Sequence, residues 1–515
     1  MNKTKSHKNI IIVVFTSIVC KIAGLVKQLV IAAYFGTSGS IDTFLLANGA
    51  ITDLGTAVFS SFTLVYLNQL IKMRDNEEEY KKYNSKVLLY FSIISLCLTS
   101  FICLFSSNII KWIGPGLSNE MCEKGSRYLL LLSPLLILIC FRAITTTILD
   151  SKKCFFYGRS LGLIQSVTII LTIVFYNHII GVDVLLYGTI VSILIEVFIG
   201  IAFLLKKKEF KFGNLSLKFD KNLKYLFLSM LPLFISNTIA EINALIDRAI
   251  ASNLGEGYIS AISYSQTLKQ FVFSVLITSV ASVMYTDFSI DVSQQQRDGL
   301  SKRIYNYIAL FMIVIIPVSV VSIICSKDIV TLVFKRGEFD DYSVQLSSLA
   351  LIGYGLGFVF FAFQTVFLRA YYSVGNTKFP LVATMIGIII GIVVKLIITP
   401  FVGILGISLS TSITYLATSI MLAFGLKKKV CSFDWKKTGL FLLKMTITIL
   451  IIFPIAFFVN AYLEISYVSK FFIVTLMVFV LFALCLFLFN KKEASIAIQV
   501  IKNRFKKEQQ NGIES

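Results

Sequence analysis

The chain has 515 residues, 56% of them hydrophobic and 15% charged, with a formal charge of +20. This composition excludes a soluble globular protein, because stretch after stretch supplies the roughly 20 apolar residues that a spanning helix needs. It also removes the nucleic-acid reading that such a charge would carry in a soluble chain, since the cytoplasmic loops of a membrane protein are where Lys and Arg collect.

The first hydrophobic stretch, residues 10–35, is long enough to cross a bilayer yet carries Lys21 and Lys27, with Gly24 between them. A Lys near the centre of a spanning helix costs about 2.5–3.5 kcal/mol on insertion scales, so such residues face a wet cavity or a partner. Snorkelling to the interface is the competing reading, but both lysines lie far from the N-terminal end. Phe35, Gly36 and Ser38 then form a turn, and Asp42 stands at the entrance of the next helix. Cations, turn and acid together suggest a helix lining a passage. The stretch is too long, and lacks the small-residue site, for a cleavable signal peptide.

Fourteen spans are expected, ending with residues 466–489, so both termini fall on one side. Placing them in the cytoplasm assigns about 33 of the 48 Lys and Arg residues to inside segments and about 7 to outside loops, which sets the orientation. Two basic knots, Lys206 to Lys208 and Lys427 to Lys429, follow the sixth and twelfth spans. They read as stops on the cytoplasmic face, with anionic lipid headgroups as the functional alternative. The knots are 221 residues apart, and each follows a glycine-punctuated helix start, at Gly181 and at Gly403. A repeat is the simplest explanation, and paired halves are how many transporters build a midplane site. The expected organisation is an N-terminal six-helix half (residues 1–208), a C-terminal six-helix half (209–429), two extra spans (430–490) and a basic cytoplasmic tail (491–515). The fold class is an all-α polytopic membrane protein, with the halves around a central cavity.

Polar residues within the spans mark what faces inward. In the seventh, Asn237, Glu241 and Arg248 share one helical stripe, because steps of four, seven and eleven residues return close to one angle. Asp247 lies beside them. An internal ion pair that fixes packing and an ion or ligand site are equally open. The eighth span, residues 257–287, carries Ser263, Gln266, Gln270 and Ser274 on one side with Lys269 adjacent. Interhelical hydrogen bonding would also explain that stripe. Asp42 and Asp53 in the second span lie on one face. Arg142, Glu196, Gln364, Arg369, Lys395 and Lys444 are single polar residues, read as helix-end snorkels or buried pairs.

The nine cysteines lie mostly in apolar stretches without metal-ligand spacing, and His7 and His178 are expected in loops. Nucleophile elbows, phosphate loops and metal clusters are absent from the sequence. The outside loops are too short for a catalytic domain, so an enzyme is not expected.

Lys21, Gly24, Lys27, Phe35 and Gly36, followed by Asp42, Phe44 and Ala47, resemble the N-terminal signature of MurJ-type lipid II flippases, members of the superfamily that also holds polysaccharide-lipid flippases and multidrug exporters. Three more stretches fit: Asp247 to Gly255, Phe334 to Phe339, and Gly375 to Pro380. The resemblance implies movement of an undecaprenyl-pyrophosphate-linked sugar from the inner to the outer leaflet by alternating access. Lys21 and Lys27 match arginine positions of the family, and the basic position of its eighth span falls near Thr267, with Lys269 two residues on. The acidic and amide residues expected for a sodium site in the eleventh span are replaced by a helix carrying Lys395.

The implied cavity residues are Lys21, Lys27, Asp42, Gln266 and Lys269, with Glu241, Asp247 and Arg248 as an ion-pair or coupling group. No cofactor or metal is expected; ion coupling or the membrane potential would supply the drive. The expected partners are the lipid-linked glycan pyrophosphate, membrane lipids and cell-wall synthesis proteins, without nucleic acid, at the bacterial cytoplasmic membrane. The alternatives are a flippase for an O-antigen, exopolysaccharide or capsule repeat unit, and a drug/cation antiporter.

Overall fold

The computed structural model describes residues 3–209, 213, 219–295, 297–491 and 493–495. Lys211 and Lys218 of the basic connection, and most of the expected basic tail, lie outside the described residues. Among the described residues the chain is helical without strands, and fourteen segments are long and apolar enough to cross a membrane. That count and class agree with the sequence reading. The chain divides into two compact units, Met1–Ser260 and Ala261–Ser515.

The first unit holds α1 (Lys3–Phe35), α2 (Gly39–Lys72), α3 (Glu77–Ile113), α4 (Asn119–Leu132), α5 (Leu135–Ser151), α6 (Phe155–Ile180), α7 (Asp183–Lys206) and α8 (Lys221–Ser252). Here α1 packs on α6, α6 and α5 on α7, and α2 lies between α4, α5 and α8. The fourth span, Asn119–Ser151, is therefore two helices. They meet at Pro134, whose missing N–H leaves the Leu130 carbonyl without its helical donor. Ser133 Oγ donates to that carbonyl at 3.0 Å instead. Between α2, α3 and α8 sits a dry aromatic knot, with Phe62, Tyr66 and Phe91 fully buried. Phe62 and Phe91 have ring centroids 4.1 Å apart, and Tyr66 donates to Asn84 Oδ1 at 2.7 Å.

The second unit receives most of α9 (Tyr258–Val272), then a π-helical stretch (Phe273–Thr278), α10 (Ser279–Ser293), α11 (Arg297–Ile324), the short α12 (Ser326–Phe334), α13 (Asp341–Ser373), α14 (Lys378–Val402), α15 (Ile404–Lys429), α16 (Trp435–Tyr462) and α17 (Tyr467–Phe489). Here α13 and α14 both pack on α15, and α11 packs on α13, α16 and α17. The eighth span contains the π stretch, a rare form found mostly as short bulges. Ser412 Oγ donates to the Gly353 carbonyl at 2.6 Å and Ser419 Oγ to the Phe360 carbonyl at 2.9 Å, which ties α15 to α13.

Two glycines show the same local geometry in both units. Gly181 ends α6 at φ 55°, ψ −137°, and Gly403 ends α14 at φ 61°, ψ −137°. This is backbone that side-chain-bearing residues rarely adopt. Each N–H closes on the residue four back, Asn177 or Thr399, at 2.8 Å. His178 falls in the last turn of α6, and His7 within α1, so neither is in a loop as expected.

Candidate functional site

In the first unit the predicted α8 stripe faces α2. Asn237 donates to Ser60 Oγ and Ser61 Oγ, both at 2.9 Å. Three turns further on, Arg248 Nη1 meets Asp53 Oδ2 at 2.5 Å. Gly49 makes that reach possible: the guanidinium lies where a Cβ at position 49 would stand. Glu241, between them on the stripe, interacts with the charges of both Asp53 and Arg248. Asp247 is buried at 4% exposure.

The first helix carries its cations differently. Lys21 is exposed and Lys27 half-buried. Across α6, on α7, Glu196 is 1% exposed, and its charge and that of Lys27 interact. Glu196 Oε2 accepts from Arg142 Nη1 of α5 at 2.7 Å, while its Oε1 is buried without a hydrogen-bond partner. Tyr157 OH donates to the Glu196 backbone carbonyl at 2.7 Å and holds that turn of α7 in place. Arg142 and Glu196 thus form an ion pair within apolar helices, and the charge of Lys27 on α1 interacts with the same carboxylate to complete the cluster.

Beside this cluster is a cavity of about 250 Å³ between α2, α5, α6 and α7, lined by Thr52, Thr56, Ser60, Arg142, Thr146 and Gln165 among others. The sequence leaves Arg142 and Glu196 as single polar residues, helix-end snorkels or buried pairs, without naming either as the other's partner. The available signal was that each is the one charge deep in an otherwise apolar span, and the two are opposite in sign.

Asp42 is placed elsewhere. It is 2% exposed, and its two oxygens accept from the backbone N–H groups of Gly257 and Ser260, each at 2.7 Å. These N–H groups belong to the first turn of α9, which has no helical acceptors of its own. Asp42 therefore caps α9 from α2, and both oxygens are engaged.

In the second unit Gln266 and Lys269 converge on Tyr354 of α13. Gln266 Nε2 donates to Tyr354 OH at 3.2 Å, and Lys269 Nζ stands 4.3 Å from the centre of its ring. Lys269 is 7% exposed, so the ring face and its own stem shield the ammonium. Sequence reasoning missed Tyr354, which lies in a run rich in Gly and aromatic residues with no polar period. Lys395 of α14 is 1% exposed.

At one end of the first unit, Lys86 meets Asp220 at 2.5 Å, and Asp220 also accepts from Leu223 N at 2.9 Å as the cap of α8. Burial alone would raise the Asp220 carboxyl. The Lys86 ammonium and the cap outweigh it and hold the group below the usual carboxylate range.

Among known proteins, the family model described as "Lipid II flippase MurJ" matches residues 31–480, beginning just after Lys27. A probable lipid II flippase MurJ of Buchnera aphidicola is 24% identical over 465 residues, covering 88% of this chain and 90% of that protein. A Rickettsia prowazekii protein of the same description is 27% identical over 413 residues, covering 78% and 80%. Among solved structures, a lipid II flippase MurJ in an inward closed conformation superposes with a TM-score of 0.78 at 23% identity, covering 92% of this chain and 98% of its own. An inward-facing multidrug transporter of the MATE family reaches 0.69 at 15% identity, covering 81% and 97%. Both are likenesses of fold.

Proposed function

Since the chain belongs to the MurJ family of lipid II flippases, we propose that it moves undecaprenyl-pyrophosphate-linked peptidoglycan precursor, lipid II, from the inner to the outer leaflet of the bacterial cytoplasmic membrane. A flippase is a transporter and not an enzyme. The family match over residues 31–480 carries this reading. The charge pattern supports it, because a pyrophosphate crossing a low-dielectric region needs compensating positive charge, and Lys21 and Lys27 place two cations on the first spanning helix.

In this reading Lys21 and Lys27 meet the pyrophosphate as point charges, without the bidentate geometry of arginine. Asp42 orders the start of α9. Both termini are cytoplasmic, and ion coupling or the membrane potential drives transport, the latter supplying about 2.3 kcal/mol per charge per 100 mV. Membrane lipids surround the apolar faces, and cell-wall synthesis proteins are the expected protein partners.

The test is replacement. In bacteria whose own lipid II flippase is depleted, this protein restores growth and cell shape. Lysis at the same rate as with empty vector, with the protein correctly inserted, would refute the reading.

A further inference from the structure

The geometry points to the cavity of the first unit as the subsite for a sugar ring of the transported lipid, with Arg142 as its anchoring donor and Glu196 as the residue that positions Arg142. This inference rests on the flippase reading and adds which part of the substrate goes where.

The cavity wall sets the chemistry of what it takes. Thr52, Thr56, Ser60 and Thr146 each donate their hydroxyl proton to a carbonyl of their own helix: Thr52 to Asn48 at 2.9 Å, Thr56 to Thr52 at 2.8 Å, Ser60 to Thr56 at 2.5 Å and Thr146 to Arg142 at 2.8 Å. Ser60 Oγ also accepts from Asn237 at 2.9 Å, so it is Thr52, Thr56 and Thr146 that present lone pairs to the cavity. A phosphate, which brings only acceptors, would meet acceptors there. A sugar brings hydroxyl and amide donors that match them.

The donors of the site come from Arg142 and Gln165. Arg142 gives one of its five N–H groups to Glu196, which fixes the plane of the fork along the cavity wall. The remaining donors suit ring, hydroxyl and carbonyl oxygens. Glu196 itself disfavours a second anion beside it. At about 250 Å³ the space is below the roughly 300–1,000 Å³ of sites for drug-sized ligands, so it takes one ring and not the whole headgroup. Lys27, which shares Glu196 with Arg142, remains for the phosphates.

The experiment compares binding of lipid II and of undecaprenyl pyrophosphate, which lacks the glycan, to the purified full chain in detergent. Two variants are used: Arg142→Gln with Glu196→Gln, which removes the ion pair as a pair, and Thr52→Val with Thr56→Val, which keeps shape and removes acceptors. The expected result is a wild-type preference for lipid II that falls about tenfold in each variant, with undecaprenyl pyrophosphate bound as before. An undiminished preference in folded variants, or equal weakening of both lipids, would overturn the sugar subsite and leave the flippase reading standing. Failure of the wild-type protein to bind either lipid would overturn both.

Discussion

Arg248 of α8 and Asp53 of α2, 195 residues apart in sequence, form an ion pair at 2.5 Å that only a glycine at position 49 leaves room for. Both side chains are largely buried, at 22% and 16% exposure. Arg248→Ala leaves Asp53 as an unpaired buried charge and is expected to cost about 3–5 kcal/mol. The double variant with Asp53→Asn recovers much of that loss, and Gly49→Ala behaves like Arg248→Ala because it displaces the guanidinium. Thermal unfolding of the detergent-solubilised protein checks all three; additive single losses would mean that the pair is not coupled.

Lys27 is a matter of charge and not of packing. Lys27→Ala is expected to abolish transport while insertion and melting temperature stay near the parent values. Lys27→Arg is expected to retain much of the activity, since it keeps the charge and adds donors. Transport assays on both variants, at matched membrane levels, read the difference. Parental activity in Lys27→Ala would remove the lysine from the passage.

Asp42 is expected to act through structure. Its two hydrogen bonds to the first turn of α9 are charge-assisted, so Asp42→Ala should cost about 3 kcal/mol and lower the yield of folded protein. Whatever folds should bind substrate with parental affinity. A stable Asp42→Ala protein with weakened binding would instead place the carboxylate in the passage.

Tyr354 serves two partners by two different parts of its side chain. Tyr354→Phe keeps the ring under Lys269 and loses the Gln266 bond, a change of about 1 kcal/mol. Tyr354→Leu also removes the cation–π contact, worth about 2 kcal/mol when desolvated. Unfolding midpoints should therefore order as parent, Phe, Leu, and equal midpoints for the two variants would show that the ring contact contributes nothing.

Asp220 gives a pH dependence at the loop face. Its carboxyl is held below the ordinary value of 3.8 by Lys86 and the α8 cap, so the stabilisation is complete above the unfolded value and is lost as pH falls through the lower folded one. Hydrogen exchange of the first turn of α8, taken relative to the intrinsic rate at each pH, should be constant from neutral pH down to the ordinary carboxylate range and rise only below it. In Asp220→Asn this rise should be absent. A rise beginning near neutrality would assign the effect to another group.

The fourteen spans were legible because length and apolarity alone define them. The α8 stripe of Asn237, Glu241 and Arg248 was legible because a helical period puts the three on one face whatever they touch. What they touch was not: Asp53 and Ser60 are found only once α2 packs on α8. The same limit hid the pairing of Arg142 with Glu196, two lone charges in separate apolar spans with no sequence rule to choose between partners. Asp42 shows another limit of the sequence. An acid at a helix entrance beside two cations reads as part of a passage, yet its partners are backbone N–H groups 215 and 218 residues away, and backbone groups leave no trace in a sequence. The break at Pro134 could be read from the proline; the π-helical stretch at Phe273 had no such marker.

The most direct measurement uses cells whose own lipid II flippase can be shut off. With this protein inserted in the membrane, the fraction of lipid II accessible on the outer leaflet is measured after shut-off. Accessible lipid II at the level of flippase-proficient cells, lost again in Lys27→Ala, is the expected result. Lipid II that stays on the inner leaflet despite correctly inserted protein would contradict the assignment of lipid II as the substrate.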